Sequence, residues 1–224
     1  MQPAMKTLVT DNLPLLRLIA RFHGQPSSLI HADRWPKEVS PAVRKLLQGN
    51  PNGERRLANF ISDYWSLDGS FRYTFEPVSH RLALLTPSDL GKLATYCSAA
   101  AHFESIVRNI DKVTQTAYRE ALGSSPFEFA IKRATFVARS LPDHWRLSPN
   151  GATAIRTSVR DTGRNMIFAC LGDAPEEIRS RVALAFEDEE TPQNTVPTPQ
   201  TALWPVVKRI LLTEVNPGLQ PCVN

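Results

Sequence analysis

The stretch that most constrains the fold is residues 124–171. It opens Ser124-Ser125-Pro126-Phe127-Glu128 and then places Phe127, Ala130, Ile131, Ala134, Val137, Ala138 and Leu141 at helical spacing. That i, i+3, i+4, i+7 series is one buried stripe of an α-helix. Ser125 suits the N-cap, Pro126 the first helical position, and Glu128 completes a capping box. The run Leu141-Pro142-Asp143-His144-Trp145 stops this helix, and a second restarts near Gly151 with Ala152, Ile155, Val159, Met166 and Cys170 on one face. Two helices joined by a short Pro/Trp turn form a helical hairpin. The expected fold is therefore all-α, an irregular multi-helix bundle around this central hairpin. Trp145, set between Pro142 and Pro149, is expected to be buried and to close the turn.

The flanking chain reads the same way. Leu13 to His23 forms a first helix with Asp11 or Asn12 as cap and Pro14 in its first turn. Ser40-Pro41 starts a short helix carrying Val43, Leu46 and Leu47, and a further helix runs from Glu54 to Trp65. Thr86-Pro87-Ser88-Asp89 caps a helix that buries Leu90, Leu93, Ala94 and Cys97. Phe103, Ile106, Ile110, Val113, Ala117 and Ala121 continue that spacing to Gly123. Asp173-Ala174-Pro175-Glu176 caps a helix with Ile178, Val182 and Phe186 inward. One segment differs: Phe71, Tyr73 and Phe75 alternate with polar residues, the period of a half-buried strand. The residues from 70 to 85 are read either as one short β-hairpin or as an irregular aromatic-rich loop. The expected organisation is a helical body over 1–187, an acidic and proline-rich linker over 188–200, and a C-terminal helix and tail over 201–224 docked on the body.

Composition excludes more than it selects. At 42% hydrophobic and 21% charged residues the chain has the balance of a soluble globular protein. The formal charge of +4 permits an acidic partner without requiring one. Asp11, Pro14 and Arg17 interrupt any apolar leader, so no signal peptide is expected. No uncharged apolar run approaches the ~18 residues of a membrane span. Cys97, Cys170 and Cys222 have no zinc spacing and read as buried hydrophobes in a reducing cytosol. No cofactor or metal is expected, since the chain has neither a phosphate-binding loop nor a dinucleotide fingerprint, and its five histidines show no His-x-x-x-His pair.

Two motifs tempt and fail. Asp161-Thr162-Gly163 matches the aspartic-protease tripeptide, but that chemistry needs a strained loop and a second carboxylate, and here the tripeptide lies within a helical stripe. Asp143-His144 are adjacent in sequence, which rarely orients a base and its partner, and no nucleophile elbow is present. The remaining candidate is electrostatic. Between Ala130 and Gly172 stand seven bases (Lys132, Arg133, Arg139, Arg146, Arg156, Arg160, Arg164) against two acids, Asp143 and Asp161, a balance of +5. Arg156, Arg160 and Arg164 recur every fourth residue, a spacing at which like charges repel by about 0.2–0.5 kcal/mol per pair. They are the candidate partner-binding residues, for an acidic protein or, as the alternative, for nucleic acid. No aromatic side chain interleaves with the arginines, which weakens the nucleic-acid version. A solvated helical face is the plain reading of the same row.

The order of several short motifs adds a resemblance. Leu18 to Phe22, Pro26, Leu29-Ile30-His31 and Trp35-Pro36 open the chain; Arg81 to Leu85, Pro87 and Leu90 mark its middle; Pro142-Asp143-His144-Trp145 forms a Pro-x-His-Trp turn; and Trp204-Pro205 with Lys208 to Leu211 marks the last helix. Together, over residues 16–215, they resemble the SctK family of bacterial type III secretion accessory proteins, also called YscK or HrpD. The basic, proline-punctuated form is similar to the rhizobial nodulation members. Residues 94–101 and 113–121 depart from the pattern, being rich in Ala and Thr where leucine is expected. The resemblance implies a non-enzymatic cytosolic adaptor, held at the inner membrane through its partners. Those partners would be the ring subunit SctD and the pod subunit SctQ, with SctL and the ATPase nearby.

Overall fold

A computed structural model describes residues 12–67, 72, 74–187 and 200–223. Every regular element among them is helical, as an all-α chain requires. In chain order the α-helices are α1 (Leu13–Gly24), α2 (Pro41–Gln48), α3 (Pro51–Tyr64), α4 (Pro87–Ala101), α5 (Phe103–Arg108), α6 (Lys112–Leu122), α7 (Ser124–Lys132), α8 (Thr135–Ala138), α9 (Ala152–Leu171), α10 (Glu176–Leu184), α11 (Gln200–Ile210) and α12 (Gln220–Val223). Contacts divide the chain into two compact units, one within Met1–Leu90, Asp173–Thr191 and Leu219–Asn224, the other within Gly91–Gly172 and Pro192–Gly218.

The first unit is assembled from α1, α2, α3, α10, α12 and a 3-10 helix, Val78–Leu84. Asn12 caps α1 by accepting from the Leu15 amide at 3.0 Å, and α1 buries Leu15, Ile19 and Phe22. The Asp89 amide donates to Thr86 Oγ1 at 3.1 Å, as the capping motif requires. Asn50 caps α3 three residues earlier than the apolar pattern suggests, because Pro51 takes the first helical position. At its centre Arg181 donates from Nη1 to the Phe22 carbonyl at 2.6 Å and lies 4.2 Å over the Phe22 ring. Glu177, 3.6 Å from Arg181 Nη2, is buried with it and balances its charge. Residues 78–84 are helical rather than extended, and no described residue between 70 and 85 lies in a strand. Phe71 and Tyr73, which carry the alternating pattern, lie outside the described residues. The linker expected over 188–200 lies outside them too, apart from Gln200 at the start of α11.

The second unit has α9 as its axis, with α6 and α11 packed on it. Gly163 sets one of its closest approaches: a Cβ there would lie 1.8 Å from the Ala94 carbonyl oxygen of α4. Ser98, one turn further along α4, donates to the Val159 carbonyl and accepts from the Gly163 amide at 2.8 Å. The small side chains of Ala94 and Ser98 make this approach possible. It accounts for small residues rather than leucine at positions 94 and 98.

Two expected helices are broken. The stripe from Phe127 to Leu141 is divided into α7 and α8, because the Ala134 amide reaches back five residues to the Phe129 carbonyl at 2.9 Å. Gly123, at φ 78°, occupies the cap position expected of Ser125, and α7 begins at Ser124. The run from Phe103 to Gly123 is interrupted at 109–111, where Asp111 accepts from the Thr114 amide at 2.8 Å and starts α6 afresh. That break leaves Ile110 95% and Val113 69% exposed, against the expectation that both face inward. Trp145 is buried as expected, at 5% exposure.

Candidate functional site on helix α9

Helix α9 carries the arginine row, and helical geometry decides what each member does. Four residues overshoot one turn by about 40°, so Arg164 is rotated about 80° from Arg156. Over the last six residues, from Met166 to Leu171, every side chain is buried, so no solvent face remains at that end. Arg156 and Arg160 are exposed, whereas Arg164 is only 9% exposed, its guanidinium 6.0 Å from the Phe168 ring. The three arginines therefore do not form one surface row.

The two exposed members have carboxylates. Arg156 Nη2 meets Glu120 Oε2 of α6 at 2.7 Å, and Arg160 Nε meets Asp161 Oδ1 at 2.9 Å. The same holds along the basic segment: Lys132 pairs with Glu128, Arg133 with Glu214, and Arg146 with Asp143 and Glu104. Four of these six carboxylates come from outside 130–172, which is why the local charge looks larger in sequence than in space. Arg139 has no carboxylate within ion-pair distance among the described residues. Sequence reasoning missed Glu120, although Val113, Thr116 and Glu120 at helical spacing mark the outer face of α6. It also missed Phe136, 69% exposed between Arg133 and Arg139.

The residues set aside earlier have structural duties. Asp161-Thr162-Gly163 lies within α9: Asp161 pairs with Arg160, Thr162 Oγ1 donates to the Ser158 carbonyl, and Gly163 meets α4. Asp143 is 94% exposed and pairs with Arg146, while the His144 ring tilts over Trp145 at 5.7 Å. His102 is wholly buried. Its Nδ1–H donates to the Ser98 carbonyl at 2.8 Å, and Nε2 accepts from the Ser158 hydroxyl at 2.8 Å. Burial, partly offset by the bond to Ser98, holds its pKa below the ordinary histidine value. Burial likewise pushes the Cys97 and Cys170 thiols up, which leaves them protonated and inert. Among the described residues no cluster of His, Cys, Asp or Glu could hold a metal ion. An open depression at the start of α9 is lined by Pro149, Asn150, Gly151, Ala152, Thr153, Ala154, Thr157 and Ser158, none of them titratable. No helix among the described residues is long and apolar enough to cross a membrane.

What remains is an all-helical protein whose candidate site is a charged outer helix face. The family described as YOP proteins translocation protein K (YscK) matches residues 20–211, most of the chain, and the chain belongs to it. It is thus a protein of type III secretion. Searches of curated proteins and of solved structures returned no match.

Proposed function

We propose that the chain is a non-enzymatic cytoplasmic adaptor of the type III secretion sorting platform, peripheral to the inner membrane through its partners. In this reading it links the cytoplasmic domain of the ring subunit SctD to the pod subunit SctQ, near SctL and its ATPase. The observation that carries it is the family match over residues 20–211. Arg156 and Arg160 are the docking cations on α9. Glu120 and Asp161, their present partners, hold them at the surface and are exchangeable for a partner's carboxylates. Arg164 supports the helix from inside.

The test is a pull-down of purified SctD cytoplasmic domain and SctQ by the full chain. Arg156→Glu with Arg160→Glu is expected to stay folded, with only the small loss of stability of two broken surface ion pairs, and to lose affinity for one partner about tenfold, chiefly at low salt. A double variant that binds both as wild type removes α9 from the docking surface. A wild-type chain that binds neither subunit removes the adaptor reading.

A further inference from the structure

Helix α2 is amphipathic yet buries nothing. It is started by Ser40, whose Oγ accepts from the Val43 amide, and by Pro41, and it ends at Gly49. Val43, Leu46 and Leu47 form its apolar stripe, but Val43 is 45% and Leu46 77% exposed. Helices this short are marginal in water and draw their stability from burying such a stripe. The neighbouring helix repeats the anomaly. Leu57, Ala58 and Ile61 of α3 face the core, while Phe60 and Tyr64 face out at 37% and 48%, their rings 5.9 Å apart. The two helices abut at Gly53, where a Cβ would lie 2.5 Å from the Leu47 carbonyl. Each of these two adjoining helices thus leaves large apolar side chains exposed.

We infer that α2 and α3 form a groove that docks an acid-flanked amphipathic helix of a partner protein. Charge selects the occupant. Arg44, Lys45, Arg55 and Arg56 stand on these two helices against Glu54 and Asp63, and none of the four bases has a carboxylate within ion-pair distance among the described residues. Arg44 is held 4.1 Å over the Trp35 ring, which fixes its position without neutralising it. A second copy of the chain fits poorly, because a two-fold contact would set these four cations against their own duplicates. An anionic bilayer fits poorly too. Interfacial helices bury one continuous apolar face with bases on the other, whereas here the apolar residues are divided over two helices with Glu54 and Asp63 among the bases. A helix laid across paired helices uses both features, apolar anchors in the centre and acids at the rim.

The identity of the partner rests on the adaptor reading; the groove itself does not. The direct probe is a labelled synthetic amphipathic peptide with leucine anchors and glutamate flanks, titrated onto the full chain beside a lysine-flanked copy. The glutamate peptide is expected to bind at least tenfold tighter than the lysine peptide, and to lose tenfold or more on Leu46→Glu or on Arg44→Glu with Arg55→Glu. Circular dichroism and melting of these surface variants should match wild type. No binding, equal binding of the two peptides, or binding that survives Leu46→Glu overturns the inference. So does Leu46-dependent sedimentation with phosphatidylserine vesicles in place of peptide binding, or Leu46-dependent dimerisation by ultracentrifugation. Peptide binding with no capture of SctD or SctQ by wild type defeats the adaptor reading and leaves the groove standing. Capture of both subunits without peptide binding does the reverse.

Discussion

Helices α2 and α9 relate pattern to burial in opposite ways. α2 has a clean apolar stripe and no buried residue; α9 has arginines scattered through it and buries eleven of its twenty residues, Arg164 among them. The difference lies in what each helix meets. α9 carries a glycine where the backbone of α4 arrives, so the two helices close on each other and seal even polar side chains. α2 closes on α3 at Gly53, yet Val43 and Leu46 of its stripe are left to solvent. Amphipathicity records that a helix has an apolar side, and only the neighbouring backbone decides whether that side is covered from within the chain.

The comparison breaks most easily at Gly163. Gly163→Val should abolish the folded state or cost well beyond the ~1–3 kcal/mol of ordinary overpacking, because the obstacle is the Ala94 backbone and cannot rotate away. Gly91 is the control: a Cβ there meets nothing within 4 Å, so Gly91→Ala should stabilise by about 0.4–1 kcal/mol. Chemical denaturation of both variants decides it; equal effects would mean that the α4–α9 approach is not as close as described.

Next in size is Arg164→Glu, which sets a carboxylate at a buried site shaped for a guanidinium and should cost about 3–5 kcal/mol. Arg156→Glu should cost about 0.2–1 kcal/mol. Thermal melts that rank the two the other way would place Arg164 at the surface.

A smaller effect follows from His102. Its folded pKa lies below its unfolded value, so the unfolded chain binds more protons once pH falls below about 6.5. Stability is complete above that value and should fall as pH drops from there toward the folded pKa. His23, also held down chiefly by burial, adds in the same direction. The urea midpoint against pH should slope accordingly, and His102→Gln should flatten that slope although it lowers the midpoint throughout. An unchanged slope would exclude His102 as a source. The smallest effect is expected at the exposed stripe: Leu46→Glu should change stability by no more than about 0.5 kcal/mol. A larger loss would mean that Leu46 is covered by the chain itself.

Local signals were legible wherever the cause was local. The caps at Asn12, Ser40 and Thr86 follow from short polar side chains before a helical stripe, and each is present. Burial of Trp145 followed from a large ring confined between prolines. The break at Arg133 was not legible, since one amide choosing a carbonyl five residues back leaves no compositional mark. The break before α6 was, in principle: Asp111 with Thr114 is an N-cap signal hidden under continuous apolar spacing. At the candidate site, spacing placed Arg156 and Arg160 correctly on an outer face. It could not place Arg164, because the burial that begins beside it depends on elements distant in sequence.

The first unit is completed by residues that follow the whole of the second in sequence. Leu219, Cys222 and Val223 are buried in it, the Cys222 carbonyl accepts from Arg81 at 2.9 Å, and α12 packs on α1 and on Val78–Leu84. Chains emerging from the ribosome usually fold in order, each domain closing before the next appears. Here the segment Gly91–Gly172 is wholly synthesised while the first unit still lacks its final turn. A nascent chain must therefore keep α1 and the Val78–Leu84 helix incompletely covered until residues 219–223 emerge, and a ribosome that stalls or stops short of Leu219 yields a product with that surface open.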